Sequence, residues 1–115
     1  MKVDFDEFSE MVERACFNSW RSVVGVANGA VIDNVDSILL TRSEGERWAF
    51  SFALRVDGRW SQSKVEVEPL EYDPFAEPDP NDVEASMSPM NRASSISIEL
   101  LSDVARKAGA KNVGQ

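Results

Sequence analysis

The chain has no histidine among its 115 residues. This absence excludes the commonest general base, every catalytic triad that uses it, and most transition-metal sites. An enzyme built from this sequence would need a carboxylate mechanism, and nothing in the exposed acidic stretches indicates the burial that raises a carboxyl pKa. We therefore expect a protein that is not an enzyme.

Cysteine is almost absent, since Cys16 is the single one. It cannot form an internal disulfide bond, and a lone cysteine mildly favours a reducing compartment, so we expect a cytoplasmic protein. Cys16 falls on the apolar stripe of a predicted helix with no base nearby. A small buried core residue is therefore favoured over a nucleophile.

Long apolar runs and glycine-rich loops are also missing. The N-terminal stretch MKVDFDEFSEMVERA is acidic within four residues, so it predicts neither a secretory signal nor a membrane span, and we expect the mature chain to begin at Met1. The six glycines stand apart, so no phosphate-binding loop is indicated. Length and an ordinary hydrophobic content of 43% predict one domain, 1–115.

Lysine and arginine are absent from residues 65–91, which hold eight carboxylates and all five prolines. This acidic segment has a charge of −8, equal to that of the whole chain, because the flanking residues 1–64 and 92–115 are neutral in sum. Binding to nucleic acid or an anionic membrane needs basic residues that displace counterions. The charge therefore argues against both ligands and favours a basic protein partner.

The N-terminal residues predict a capped, amphipathic helix. Asp4 is followed three residues later by Glu7, and Val3 and Phe8 stand where a hydrophobic staple closes the first turn. Apolar residues then recur at three- and four-residue spacing to about residue 18.

The stretch WAFSFALRVDGRW, which begins at Trp48, predicts a β-hairpin. Apolar residues alternate with small or polar ones, and the dipeptide Asp57-Gly58 is typical of a tight type I′ turn. The register set by such a turn places Arg55 opposite Trp60 on the solvent side, where they would form a cation–π pair.

The remaining elements complete an α+β plan. A second turn dipeptide, Asn28-Gly29, lies among β-rich residues, so residues 1–64 predict the helix and an antiparallel meander of four to five strands. After the acidic segment, residues 92–115 predict a C-terminal helix, capped by Ser94 or Ser95 and ended by Gly109, with a frayed tail. These elements predict a two-layer architecture, in which both helices pack on one face of the sheet and the other face is open.

No metal or cofactor is expected. The stretch DPFAEPDPND offers oxygen ligands, but it lacks the central glycine and the terminal bidentate glutamate of an EF-hand.

The acidic segment has three interpretations. It could be a solvated linker stiffened by proline. We prefer a docking surface for a basic cleft, because aromatic residues interrupt the acids and could anchor what the carboxylates attract. A mimic of nucleic-acid phosphates is a special case of the second interpretation. The candidate partner-binding residues are Tyr72, Asp73, Phe75, Glu77, Asp79, Asp82 and Glu84, together with Arg55 and Trp60.

The sequence thus predicts a small acidic binding or inhibitor protein of bacterial or phage type. By analogy with immunity proteins, it would mask a basic surface on a toxin, a nuclease or a nucleic-acid-binding protein. The alternatives are a secretion-type chaperone, a phage inhibitor that mimics nucleic acid and, last, a carboxylate-based enzyme.

Overall fold

Two helices and a three-stranded antiparallel sheet form the framework of the protein. The computed structural model describes residues 2–24, 26–27, 30–31, 35–72, 75 and 88–113. The elements, in chain order, are α1 (Phe5–Val24), β1 (Val26–Ala27), β2 (Ala30–Val31), β3 (Val35–Ser43), β4 (Trp48–Val56), β5 (Arg59–Val67) and α2 (Pro89–Val113).

The predicted α+β class is confirmed, but the sheet is smaller than expected. In the described residues its strand order is β3-β4-β5, three strands rather than the predicted four to five. Among the described residues, strands β1 and β2, on either side of Asn28-Gly29, pair with each other in a separate two-residue ladder. The turn dipeptide marked an antiparallel pair correctly, but turn chemistry does not say which sheet a pair joins.

Helix α1 begins as predicted and runs further than predicted. The backbone N–H of Glu7 donates to the Asp4 carboxylate at 3.1 Å, which is the expected N-cap. The helix ends at Val24, not near residue 18. Trp20 and Val24 continue the buried stripe from Cys16 at four-residue spacing, so helical packing overrides the β-propensity of the valines.

The β4–β5 hairpin has the predicted register. Trp48 pairs with Val67, Phe50 with Val65 and Arg55 with Trp60. The turn residues Asp57 and Gly58 have φ angles of 52° and 77°, as a type I′ turn requires. The Asp36 carboxylate accepts a hydrogen bond from the Gly58 backbone N–H at 3.1 Å, which ties the turn to β3.

The sheet has one covered face and one open face. Alternate residues of β4, from Trp48 to Val56, are buried beneath the helices, as the alternation predicted. We call the other side the open face; it is formed by Ser37, Leu39, Thr41, Ser43, Ala49, Ser51, Ala53, Arg55, Trp60, Gln62, Lys64 and Glu66. Apart from Arg55, its central strand contributes small side chains, and the long side chains of this face come mainly from β5.

The core lies between the helices and the covered face of the sheet. Its largest fully buried side chains are Phe8, Phe50, Phe52, Leu54, Ile96, Leu100 and Leu101. The rings of Phe8 and Phe50 meet edge to face with centroids 5.8 Å apart, an arrangement that adds to area burial. Both helices therefore pack on the same face, as the sequence predicted.

Helix α2 is longer than its predicted bounds. It starts at Pro89, and the backbone N–H of Asn91 donates to the Ser88 hydroxyl at 3.2 Å. Serine as N-cap with proline at the first helical position suits a helix start because proline has no N–H to leave unsatisfied. The predictions of a cap at Ser94 or Ser95 and of a stop at Gly109 are therefore wrong. The buried apolar stripe extends to Ala108, and the modest cost of an internal glycine does not end the helix at Gly109.

Gly58 gives a direct test of the turn. A Cβ added there would have no heavy atom within 4 Å, so Gly58→Ala should cost only the strain of a left-handed backbone, about 1–2 kcal/mol. Gly45→Ala is the matched control, because its added Cβ would meet the Arg47 carbonyl at an ordinary 3.6 Å. Urea unfolding of both variants measures the difference. Equal costs would contradict the type I′ geometry.

Candidate functional site

Three candidate residues that the structure describes lie at opposite ends of the β4–β5 hairpin. Arg55 and Trp60 lie beside the turn, whereas Tyr72 follows the far end of β5. A strand of this length spans about 25–30 Å, so the structure does not bring Tyr72 together with Arg55 and Trp60. Phe75 is 93% exposed. The other predicted residues, Asp73, Glu77, Asp79, Asp82 and Glu84, lie outside the described residues.

Arg55 is held between an acid and an aromatic ring. Its guanidinium carbon lies 5.9 Å from the centroid of the Trp60 ring, so the predicted cation–π pair is present. Its Nε lies 3.6 Å from the Asp36 carboxylate, which also binds the turn. Because Asp36 compensates its charge, Arg55 supports the hairpin, and the half-exposed Trp60 is the surface feature at this end of the sheet.

The start of the acidic segment is fixed beside the start of α1. The backbone N–H of Val3 donates to the Leu70 carbonyl at 3.0 Å, and Lys2 forms an antiparallel bridge with Glu71. Residues nearly 70 positions apart in the chain are thereby joined at one end of the molecule. The first acids of α1 and of the acidic segment consequently share one surface.

That surface contains an open cleft of about 730 Å³, which we call the N-terminal cleft. Its lining includes the apolar residues Val3, Phe5, Trp48, Pro69 and Leu70 and the charged residues Lys2, Asp4, Glu44 and Glu71. The rings of Phe5 and Trp48 contact each other with centroids 5.2 Å apart and their planes tilted by 57°. Three carboxylates against one amine give the cleft a negative charge around an apolar floor.

This combination suits a long basic side chain. The aliphatic stem of lysine or arginine packs on apolar or aromatic surface, while its charged head stays at the rim near carboxylates. Each exposed pair would contribute little alone, at most about 1 kcal/mol, so the cleft would act as one part of a larger interface.

A second groove continues the acidic surface along α1. Asp6, Glu10 and Glu13 line it together with Arg14, Phe17, Asn18 and Arg42, around a volume of about 570 Å³. Arg14 pairs with Glu10 within the helix at 3.3 Å. Carboxylates thus extend from the N-terminal cleft along the exposed side of α1.

Sequence reasoning missed the N-terminal cleft. Trp48 was assigned only to the core, and Glu44 and Leu70 were not singled out. The one local signal is the acid-rich start of α1, with Asp4 as N-cap and Asp6 and Glu7 in the first turn. Nothing in the sequence indicated that Leu70 would pair with Val3.

Cys16 behaves as predicted for a buried structural residue. It is fully buried, and burial raises the pKa of its thiol from 9.0 to about 12. The thiolate is the reactive form of cysteine. Cys16 is therefore protonated and enclosed at neutral pH, which is opposite to what a nucleophile requires.

Asp103 fastens α2 to strand β5. Hydrogen bonds from the side chains of Lys107 and Ser63, together with the charge of Lys107, hold the pKa of the Asp103 carboxyl below its ordinary value. Lys107 Nζ lies 3.0 Å from this carboxylate and donates to the Gln62 carbonyl of β5 at 2.8 Å. The contacts have a structural role because they join two elements of the fold.

In the part of the chain that the structure describes, no group of three or more acidic or cysteine side chains is arranged to hold a metal ion. Within the same residues, neither helix combines the length and the apolar character needed to cross a bilayer.

Comparison with known proteins gives no relative. No protein-family model matches the chain, and neither the curated proteins nor the solved structures contain a match. Function must therefore be argued from the site itself.

Proposed function

We propose that the protein is a non-catalytic binding protein that masks a basic surface of a protein partner. The observation that carries the proposal is the junction of Val3 with Leu70, which places the acids of α1 and the start of the acidic segment around one cleft with an apolar floor. At protein interfaces, such acids attract a basic partner during association, and the apolar residues between them become buried in the complex.

The charge distribution supports the same proposal. Glu71 leads from the cleft into residues 73–84, which contribute five further carboxylates. Together with the acids of α1 they would attract a basic cleft over a distance comparable to the Debye length, about 8–10 Å at physiological salt. Phe75, at 93% exposure, is the aromatic residue most available for a partner to bury. An inhibitor that neutralises a basic toxin or nuclease, of bacterial or phage origin, has this chemistry.

The first experiment is partner capture followed by kinetics. The tagged protein is used to recover partners from a lysate of its source at low salt, and binding to the recovered protein is measured by surface plasmon resonance. Glu71→Gln should slow association about two- to tenfold at low salt and flatten its salt dependence, because a rim charge acts mainly on encounter. Neutralising Glu77, Asp79 and Asp82 together should have the same kind of effect.

Matched variants make the outcome specific. Glu99→Gln, the same change at an exposed site of α2, should leave association unchanged. Phe75→Ala should raise the dissociation rate by about tenfold or more if the ring is a buried anchor. An acidic partner, or equal kinetics for Glu71→Gln and Glu99→Gln, would refute the proposal.

A further inference from the structure

In the described part of the chain, the outer edge of β3 has no neighbouring strand. Among the residues that the structure describes, β3 pairs with β4 alone, and no hydrogen bond from them reaches its other side. At the opposite edge of the sheet, Lys107 of α2 donates to the Gln62 carbonyl of β5. The outward N–H and C=O groups of β3 are therefore a template for another strand.

The side chains of β3 lack the usual protection of an edge strand. Natural edges carry proline, central charges or bulges that discourage pairing. The centre of β3 is instead the apolar run Ile38–Leu39–Leu40, in which Leu39 is 51% exposed on the open face and its two neighbours are only half-buried. The charged residues Asp36 and Arg42 stand near the two ends, and the one register shift lies at Val35/Ser37.

We propose that a second copy of this chain occupies this edge, through antiparallel pairing of β3 with β3 about Leu39. The strand is complementary to itself when reversed. This register places Leu39 opposite Leu39 of the other copy, Ile38 opposite Leu40 and Ser37 opposite Thr41. Apolar pairs and hydroxyl pairs are both favourable across strands. The contact has two-fold symmetry, and the two sheets join into one of six strands.

Neighbouring registers fit less well. A shift that makes Ile38 the centre places Ser37 opposite Leu39, and one that makes Leu40 the centre places Thr41 opposite Leu39. A register centred between two residues would pair outward-facing backbone groups of one strand with inward-facing groups of the other, so the ladder of hydrogen bonds would be lost. The register about Leu39 therefore keeps the apolar residues opposite one another.

The first test is the concentration dependence of mass. Sedimentation velocity of the full chain should show a shift from 12.8 kDa towards twice that mass as concentration rises through the micromolar range, which is on the order expected for a small interface. Salt should strengthen the association, because each copy has a net charge of −8. The salt effect on partner binding has the opposite sign, so the two proposals fail independently.

A matched pair of variants locates the contact. Leu39→Lys places like charges opposite each other at the two-fold axis and should weaken the dimer by at least about tenfold. Ile98→Lys makes a comparable change at a site of α2 that is 56% exposed, and it should leave the dimer intact. Equal effects of the two variants, or a monomer at every concentration, would overturn the proposal.

Cross-linking tests the register in a Cys16→Ala background. Leu39→Cys puts two thiols directly opposite, with Cβ atoms about 5 Å apart, so oxidation should give a covalent dimer. In Thr41→Cys each thiol pairs with Ser37, and the two thiols are separated by four residues, about 13 Å, so cross-linking should be at least tenfold slower on this order-of-magnitude geometry. Equal yields would rule out the register, and with it the proposal.

Discussion

Phe52→Ala should destabilise the protein by about 3–5 kcal/mol, the range for removing a fully buried phenylalanine side chain. Phe52 has no exposed surface and lies on the covered face of β4. The ring of Phe17 on α1 lies 6.5 Å from it, edge to face. Truncation would therefore leave a cavity between sheet and helix that a close-packed core closes only in part. Chemical unfolding followed by far-UV circular dichroism measures the loss.

Phe75→Ala is the matched control for Phe52→Ala. The same side chain is removed at a position that is 93% exposed, and a surface substitution of this kind usually changes stability by no more than about 0.5 kcal/mol. A loss below about 1 kcal/mol for Phe52→Ala would mean that the covered face of the sheet is assigned wrongly.

Raising the pH above 9 should destabilise the wild-type protein more steeply than Cys16→Ala. The pKa of the Cys16 thiol rises from 9.0 to about 12 on folding, so the native state keeps a proton that the unfolded state loses. The contribution of the neutral thiol to the free energy of unfolding has its full value below pH 9 and is lost as pH increases towards 12. The slope is about 1.4 kcal/mol per pH unit within that window.

The measurement is a series of urea unfolding curves for both proteins between pH 8 and 11. Cys16→Ala is less stable at neutral pH because a buried side chain is shortened. Its free energy of unfolding lacks the pH dependence that the thiol causes. The difference in free energy of unfolding between the two proteins should therefore become smaller as pH rises. Labelling with a thiol reagent gives a second readout, slow for the native protein and fast in urea. Cys16 would be exposed if the free energies of unfolding of the two proteins fell in parallel with pH and the native protein were labelled quickly.

The local elements were predictable because their signals lie within a few residues of the contacts they make. Asp4 reaches a backbone N–H only three residues away, so the capping pattern is enough to start α1. Asp57 and Gly58 can adopt the positive φ angles that the turn requires without help from distant residues. The turn then sets the register of the whole hairpin, including the pair of Arg55 with Trp60. Strict alternation in β4 identified the covered face, since side chains of a strand alternate sides.

The ends of the helices could not be predicted, because they depend on packing more than on propensity. Val24 resembles a strand residue in isolation, but burial in the core keeps it helical. Gly109 resembles a helix stop, but α2 continues through it to Val113. A residue's intrinsic preference is worth less than about 1 kcal/mol, whereas a buried aliphatic side chain contributes about 1.5–3 kcal/mol. Packing therefore keeps α1 helical to Val24, and the cost of one glycine is too small to end α2 at Gly109.

The sequence by itself determined the N-cap of α1, the type I′ hairpin, the buried alternation of β4 and the concentration of negative charge in residues 65–91. The tertiary structure alone decided that Leu70 meets Val3, that Glu44, Glu71 and Trp48 line one cleft, and that β3 is an edge strand among the residues described. The physical reason is the separation along the chain between the residues that make each contact. Capping, turn geometry and alternation are satisfied within one segment, whereas the cleft and the edge arise from contacts between segments distant in the chain, which no local pattern encodes.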